Sequence, residues 1–373
     1  MNILVAAGGT GGDVFPAVAV IEQVRAKLGT ECSVIFVGNP HRIEARVIPE
    51  LGYRFIPIPV TGFQGIFHRS TPVLPLRIFR SLLMIRSLCK QHNIDVILCG
   101  GTYISYPAGL MSSFLKIPMM LLESNVLPGK TNRLLAPKAQ AIILAFSESK
   151  EYFPPSLHAR MHVVGNPVRH SMLTAAPPVN DARATFGLSV HTPTLFVFGG
   201  SLGARSINHA VAASVEILSA RGIQVLWQTG KNYTPPETLP DGIVSRTFID
   251  DMASAYSAAD LVLCRAGGGT VAELKIARKP AVLVPLPSAA NNEQEYNAKA
   301  LTASGAAIMV RDAELQDAFL PLVLDLLLES PDTLDTMAAA AGTLARPNAA
   351  RDAAEILITI ASKQPSHSTR ETR

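Results

Sequence analysis

Residues 264–274 read Cys264-Arg265-Ala266-Gly267-Gly268-Gly269-Thr270-Val271-Ala272-Glu273-Leu274, and their types and spacing point to chemistry. Three consecutive glycines and a threonine separate an apolar run ending at Cys264 from a run of helical character beginning at Val271. With no side chains at the turn, backbone N–H groups approach a ligand closely, and the helix start adds the positive end of its dipole. Together they hold an anion, most naturally a phosphate. Glu273 falls one turn into the helix on or near the ligand side, where a carboxylate accepts hydrogen bonds from both hydroxyls of a ribose. The stretch therefore fits a nucleotide diphosphate. Taken alone, it fits equally a tight strand–helix turn that needs glycine for packing.

The elements that must position these residues are short buried strands alternating with helices. Only 17% of the 373 residues are charged and 48% are hydrophobic, a balance that suits parallel sheets buried on both faces. The length makes two domains the natural expectation. Residues 2–7 read as a strand, Gly8-Gly9-Thr10-Gly11-Gly12 as a loop, and Asp13 as the opening of a helix with Pro16 in its first turn. The βαβ order that follows implies a parallel sheet. A Rossmann dinucleotide site needs G-x-G-x-x-G and an acidic residue ending the second strand. Here the loop is GGTGG, and Val37 is followed by Gly38-Asn39-Pro40, so an NAD site is disfavoured.

A second glycine loop, Gly100-Gly101-Thr102-Tyr103, follows the strand at 95–99, at the carboxyl end where open α/β sheets bind ligands. The strand at 119–122 ends in Glu123-Ser124-Asn125, another spans 141–145, and 162–164 leads into Gly165-Asn166-Pro167-Val168-Arg169. The Pro- and Ala-rich stretch 174–181 reads as a linker. The order then repeats. A strand at 194–198 runs into Gly199-Gly200-Ser201-Leu202-Gly203 and a helix, with further strands at 225–230, 244–249 and 281–285 and an amide-rich helix start at 291–298. Two Rossmann-like halves with facing glycine loops imply a cleft. The Ala-rich helix at 349–361 is expected to pack back on the first half, and the polar tail to be disordered.

A net charge of +4 is too small to argue for nucleic acid, and it suits an anionic substrate or membrane surface. Cys32, Cys89, Cys99 and Cys264 form no CxxC pair, which leads us to expect reduced structural thiols in the cytoplasm. The chain opens on a strand rather than a signal peptide, and no apolar run approaches the roughly 18 residues of a spanning helix. Membrane contact is thus expected at the surface. Between 60 and 86, apolar residues alternate with Arg69, Arg77, Arg80 and Arg86. This reads either as a membrane-facing patch or as an ordinary amphipathic helix with a basic solvent face. Phe63, Ile66 and Phe67 are the hardest to bury and favour lipid or acceptor.

Six motifs now stand in order over almost the whole chain: GGTGG at 8–12, Phe15-Pro16-Ala17, Gly165-Asn166-Pro167-Val168-Arg169, Gly199-Gly200-Ser201-Leu202-Gly203-Ala204, Phe248-Ile249-Asp250-Asp251-Met252 and the stretch 264–274. Each is weak alone; the ordered set is specific, and it resembles the MurG family. These are GT-B glycosyltransferases that add N-acetylglucosamine to lipid I, making lipid II for peptidoglycan. The resemblance implies an α/β GT-B fold, two Rossmann-like doubly wound parallel-sheet domains facing across a cleft. The acceptor and membrane would belong to 1–165 and the UDP-sugar to 166–345, with helix 346–362 packing back on the first domain and 363–373 disordered.

The resemblance also implies roles. Glu273 would hold the ribose hydroxyls, and Ile249 would receive the uracil edge through its backbone. Ser201, Gly268, Gly269 and Thr270 would line the diphosphate. Arg169 and Gln294 would touch the donor, Gln294 at the sugar hydroxyls. Thr10, Gly11, Gly12 and Asn125 would reach the donor or the transferred sugar from the first domain. Phe63, Ile66, Phe67 and Arg69, with Gly100, Gly101, Thr102 and Tyr103, would serve acceptor and membrane. The family needs no metal and no cofactor; helix dipoles and Arg169 would stabilise the leaving UDP. The implied partners are UDP-N-acetylglucosamine, lipid I, an anionic membrane surface and other cell-wall synthesis proteins, and the implied place is the cytoplasmic face of the inner membrane.

Two positions depart from the family pattern. Histidine usually follows GGTGG, where this chain has Asp13, and histidine usually stands where this chain has Leu122. An aspartate can deprotonate a sugar hydroxyl, so Asp13 is the candidate base; it reads equally as a helix N-cap. Plain readings of Ser201 and Asn125 are an N-cap and a satisfied loop amide. The alternatives are a GT-B transferase with another lipid or small-molecule acceptor, a UDP-sugar 2-epimerase of the same fold, and a UDP-sugar-binding protein without turnover.

Overall fold

The computed structural model describes residues 1–62, 73–174, 176–289 and 292–363, in two compact units. Unit 1 is Met1–Arg169 with Pro347–Arg373, and unit 2 is His170–Arg346.

Unit 1 is built on β1 (Asn2–Ala6), β2 (Ser33–Gly38), β3 (Arg54–Pro57), β4 (Val96–Cys99), β5 (Met119–Glu123), β6 (Ala141–Leu144) and β7 (Met161–Val163). They form one parallel sheet in the order β3-β2-β1-β4-β5-β6-β7. Both faces are covered, so the central strands are apolar without alternation: Val96, Ile97, Leu98 and Cys99 are all fully buried. On one face lies the helix Gly11–Leu28, and against it the helix Ala349–Ser362. Small residues at 350, 353 and 354 leave room for that close approach, and Leu357 is buried in the same layer as Val14, Ala17 and Ile21.

Unit 2 repeats the plan with β8 (Thr194–Phe198), β9 (Gln224–Gln228), β10 (Ile243–Arg246), β11 (Leu261–Cys264), β12 (Ala281–Leu283) and β13 (Ala307–Met309). All pairs are parallel, in the order β10-β9-β8-β11-β12-β13. The strands β3 and β13, absent from the sequence reading, are the short outer members of their sheets. The stretch 174–181, read as a linker, already contains the start of the helix Val179–Phe186.

Each sheet reverses its strand order once, between β1 and β4 in unit 1 and between β8 and β11 in unit 2. The paired ends are Ala6 with Cys99 and Phe198 with Cys264. Ligands of open parallel sheets bind at this reversal, beyond the carboxyl ends of the strands. The four glycine-rich stretches of the chain follow these four strands.

The helix Leu74–Gln91 buries Ser81, Ile85, Leu88 and Cys89 and leaves Leu76, Phe79 and Leu83 about half exposed or more (50%, 57% and 49%). Its solvent face is therefore apolar as well as basic. Phe63, Ile66, Phe67 and Arg69 lie outside the described residues. Among the described residues, no helix is long and apolar enough to cross a membrane.

Candidate active site

In unit 2 the turn after β11 opens the helix Gly268–Ala277, with Gly267 at its N-cap. Gly267 has φ −65°, a conformation open to any residue, and a side-chain carbon added there would meet nothing closer than Thr270 Oγ1 at 3.9 Å. The protein's own packing does not require glycine at this position. The packing-only reading of the turn therefore does not account for glycine at 267. Gly268 and Gly269 form the first helical residues, where unsatisfied N–H groups point outward. Glu273 is half-buried one turn further on and accepts a hydrogen bond from Tyr256 Oη at 3.1 Å.

Arg265, the cation nearest the glycines, does not point to that turn. Its guanidinium donates to the Val284 and Pro285 carbonyls, to Asp312 and to Ser206 Oγ, tying the base of the turn to its neighbours.

The loop after β8 sits beside this turn across the β8–β11 reversal. Ser201 is exposed in it. The next helix, Arg205–Ala212, is capped at Ala204, so Ser201 is not the N-cap. Ile249 follows β10, two strands away, and its N–H donates to Gln228 Oε1 at 2.9 Å. With the N–H engaged, the backbone group Ile249 offers without breaking that bond is its carbonyl. Gln228, 3% exposed, also reaches the Gly200 carbonyl at 3.4 Å and so braces both loops. Gln294 lies in the first turn of the helix Glu293–Ala303, and its side-chain carbonyl accepts from Leu286 N–H at 3.0 Å.

In unit 1 the loop after β1 runs into the helix Gly11–Leu28, two residues earlier than the sequence indicates. Thr10, not Asp13, is the N-cap, and Pro16 stands in the second turn. Asp13 projects from the first turn and accepts Thr10 Oγ1 at 2.7 Å. The stretch Gly100–Tyr103 joins it across the β1–β4 reversal. A carbon on Gly9 would stand 3.9 Å from the Tyr103 ring and 4.0 Å from Asp13 Oδ2. Tyr103 Oη meets Asn39 Nδ2 at 3.4 Å, and burial pushes its phenol above the usual range. Gly101 N–H donates to Ser105 Oγ, and Thr102 Oγ1 is buried with no hydrogen-bond partner among the described residues.

Asn125 follows β5, the next strand over. Its N–H donates to Glu123 Oε1 at 3.0 Å, and its carbonyl accepts from Ser149 Oγ at 2.9 Å. Arg169 belongs to unit 1, although the expected boundary at 165 assigns it to the second half; its guanidinium stacks over the Phe15 ring at 4.7 Å. Leu122, where the family carries histidine, is 2% exposed in the core.

Two buried carboxylates escaped the sequence reading. Glu44 is fully buried and accepts both Gly9 N–H and Asn39 N–H at 3.0 Å, tying the loops after β1 and β2. Glu123 accepts Gly129 N–H and Asn132 Nδ2 on its other oxygen. A carboxylate ending an apolar strand was the available signal for Glu123; nothing local marks Glu44.

Two parallel-sheet units, each with glycine loops at its strand-order reversal, make up the GT-B fold. Residues 3–144 match the glycosyltransferase family 28 N-terminal domain, and residues 194–356 match its C-terminal domain. The chain is 40% identical over 368 residues to a Salinibacter ruber protein, covering 97% of each. It is 35% identical over 370 residues to a Bacteroides fragilis protein, covering 97% of this chain and 96% of that one. Both are UDP-N-acetylglucosamine--N-acetylmuramyl-(pentapeptide) pyrophosphoryl-undecaprenol N-acetylglucosamine transferases. The crystal structure of Acinetobacter baumannii MurG matches with a TM-score of 0.73 at 28% identity, covering 96% of this chain and 99% of that one. The chain belongs to the MurG family within glycosyltransferase family 28.

Proposed function

We propose that this enzyme transfers N-acetylglucosamine from UDP-N-acetylglucosamine to the pyrophosphoryl-undecaprenol-linked N-acetylmuramyl-pentapeptide, lipid I. The observation that carries the donor half is the turn at Gly267. A glycine that packing does not require opens a helix toward an incoming anion, with Glu273 one turn behind it. The diphosphate lies on Gly268, Gly269 and Thr270 with Ser201 opposite, the ribose on Glu273, the base against Ile249, and the sugar toward Gln294. Departure of UDP is favoured by N–H groups already aimed at the developing charge.

The acceptor hydroxyl attacks the anomeric carbon, and the sugar inverts. Asp13 takes the proton. Its carboxylate is held by the Thr10 hydroxyl beside the open loop after β1, and Gly100, Gly101, Thr102 and Tyr103 shape the acceptor side. The exposed stripe Leu76, Phe79 and Leu83, at helical spacing i, i+3, i+7, lies on the lipid surface with Arg80 and Arg86 on anionic headgroups, and the helix Leu74–Gln91 carries no acidic residue to oppose them. The enzyme then works peripherally at the cytoplasmic face of the plasma membrane, where other cell-wall synthesis proteins meet it.

The test is a transfer assay with lipid I, UDP-N-acetylglucosamine and UDP-glucose as competing donors. The expected result is transfer from the first donor in clear preference to the second. No transfer, with UDP binding retained, overturns the acceptor and assigns another lipid, a small molecule or a binding role.

A further inference from the structure

The hydrogen bond to Glu273 comes from the helix Met252–Ala258, whose Tyr256 Oη stands 3.1 Å from Glu273 Oε2. Tyr256 is 1% exposed. Its ring stands edge-on to Phe196 and Phe198 of β8, at 5.7 and 6.1 Å, with interplanar angles of 82° and 80°. Two aromatic contacts at near right angles fix the ring, and with it the line along which the phenol points. The helix that carries it is fixed at its start, because Asp251 Oδ1 accepts Ser254 N–H at 3.0 Å. The phenol O–H is the donor and the carboxylate oxygen the acceptor.

We propose that Tyr256 is a positioning residue for ribose recognition: its hydroxyl holds Glu273 Oε2 and sets the plane in which the carboxylate meets the ribose hydroxyls of the UDP-sugar. The proposal rests on the reading of Glu273 given above. A carboxylate held in advance loses less freedom when the ligand arrives, so the phenol raises affinity without touching the ligand. The base and the diphosphate are read by groups other than the Glu273 carboxylate, so its effect is confined to the ribose.

The experiment measures binding of UDP, 2′-deoxy-UDP and UMP to the full chain and to Tyr256→Phe by titration calorimetry. Wild type is expected to prefer UDP over 2′-deoxy-UDP about ten-fold or more. Tyr256→Phe is expected to shrink that ratio about five-fold while the ratio of UDP to UMP holds. A general loosening of unit 2 weakens UDP and 2′-deoxy-UDP alike, so a ratio that does not change in Tyr256→Phe overturns the role of Tyr256 and leaves the ribose reading standing. A wild type that ignores the 2′-hydroxyl overturns the ribose reading, and the proposal with it. Tyr256→Phe keeps the ring and its packing. If it nevertheless melts below the assay temperature, the thermal midpoint of Glu273→Gln,Tyr256→Phe against each single variant answers instead. Coupled effects support the pair, and additive ones refute it.

Discussion

The glycines after β1 and those after β8 look alike in sequence but have different surroundings. Carbons added at Gly9 and Gly12 would meet nothing closer than 3.9 and 3.6 Å. At Gly199 the added carbon would collide with Ala204, and at Gly203 with the Thr229 carbonyl; at Gly230 it would collide with Gly203 itself. The first loop keeps Gly9 and Gly12 open, while Gly8 packs against Glu44 and Ile104 and Gly11 against Phe15. The second locks Gly203 against the end of β9, where Asn208 Nδ2 holds the Thr229 carbonyl at 2.8 Å and Trp227 Nε1 holds Asn208 Oδ1 at 3.0 Å, and leaves Gly200 open. Each loop thus mixes packed and open glycines, and unit 2 carries a further open glycine one loop on, at Gly267.

The largest effect tests whether the open loop of unit 1 is the reacting end. Asp13→Asn keeps an acceptor for the Thr10 hydroxyl but cannot take a proton. Turnover with lipid I is expected to fall roughly 100- to 10,000-fold, with donor affinity within about two-fold of wild type. Turnover near wild type would remove Asp13 as the base.

The next tests the locked loop. Gly203→Ala meets both a positive φ of 84° and a backbone collision, and is expected to cost about 3 kcal/mol in urea unfolding. Gly9→Ala, with φ 103° but open space, is expected to cost only about 1–2 kcal/mol. Equal costs would break the contrast between the loops. Gly267→Ala sharpens it within unit 2. Stability should change by less than about 1 kcal/mol, whereas UDP affinity falls about ten-fold, because a methyl occupies the space of the phosphate. Unchanged UDP binding would return the turn to packing.

Much of this was legible from the chain alone, because the signals were local. Strands β1, β4, β8 and β11 are unbroken apolar runs, and each is followed by a glycine stretch. The order of the motifs gave the family. What was hidden acts at a distance. Glu44 holds a loop 35 residues away, and Gln228 holds Ile249 from 21 away. Periodicity carries no trace of such pairs. The strand β3 was missed because it is four residues long at a sheet edge, with ends exposed and no buried run to mark it. Proline misled too: Pro178 caps the helix Val179–Phe186 instead of breaking the chain into a linker.

The smallest expected effect concerns the charged brace of unit 1, which unit 2 replaces with the neutral amides of Asn208 and Gln228. Burial pushes the Glu123 carboxyl above its ordinary value of 4.5, against the pull of the donors on Asn132, Asn125 and Gly129. A raised value means the folded chain binds this proton more tightly than the unfolded one. The contribution of Glu123 to stability is therefore fullest below pH 4.5 and declines as pH rises through the folded value. Glu123→Gln removes that titration and mismatches an NH₂ against N–H donors, so it is destabilised at every pH. The gap between wild type and Glu123→Gln in urea unfolding should accordingly be wider at pH 4.5 than at pH 7. A gap that widens toward neutral pH would mean that the three donors outweigh burial, and that the brace in unit 1 works as a true anion site.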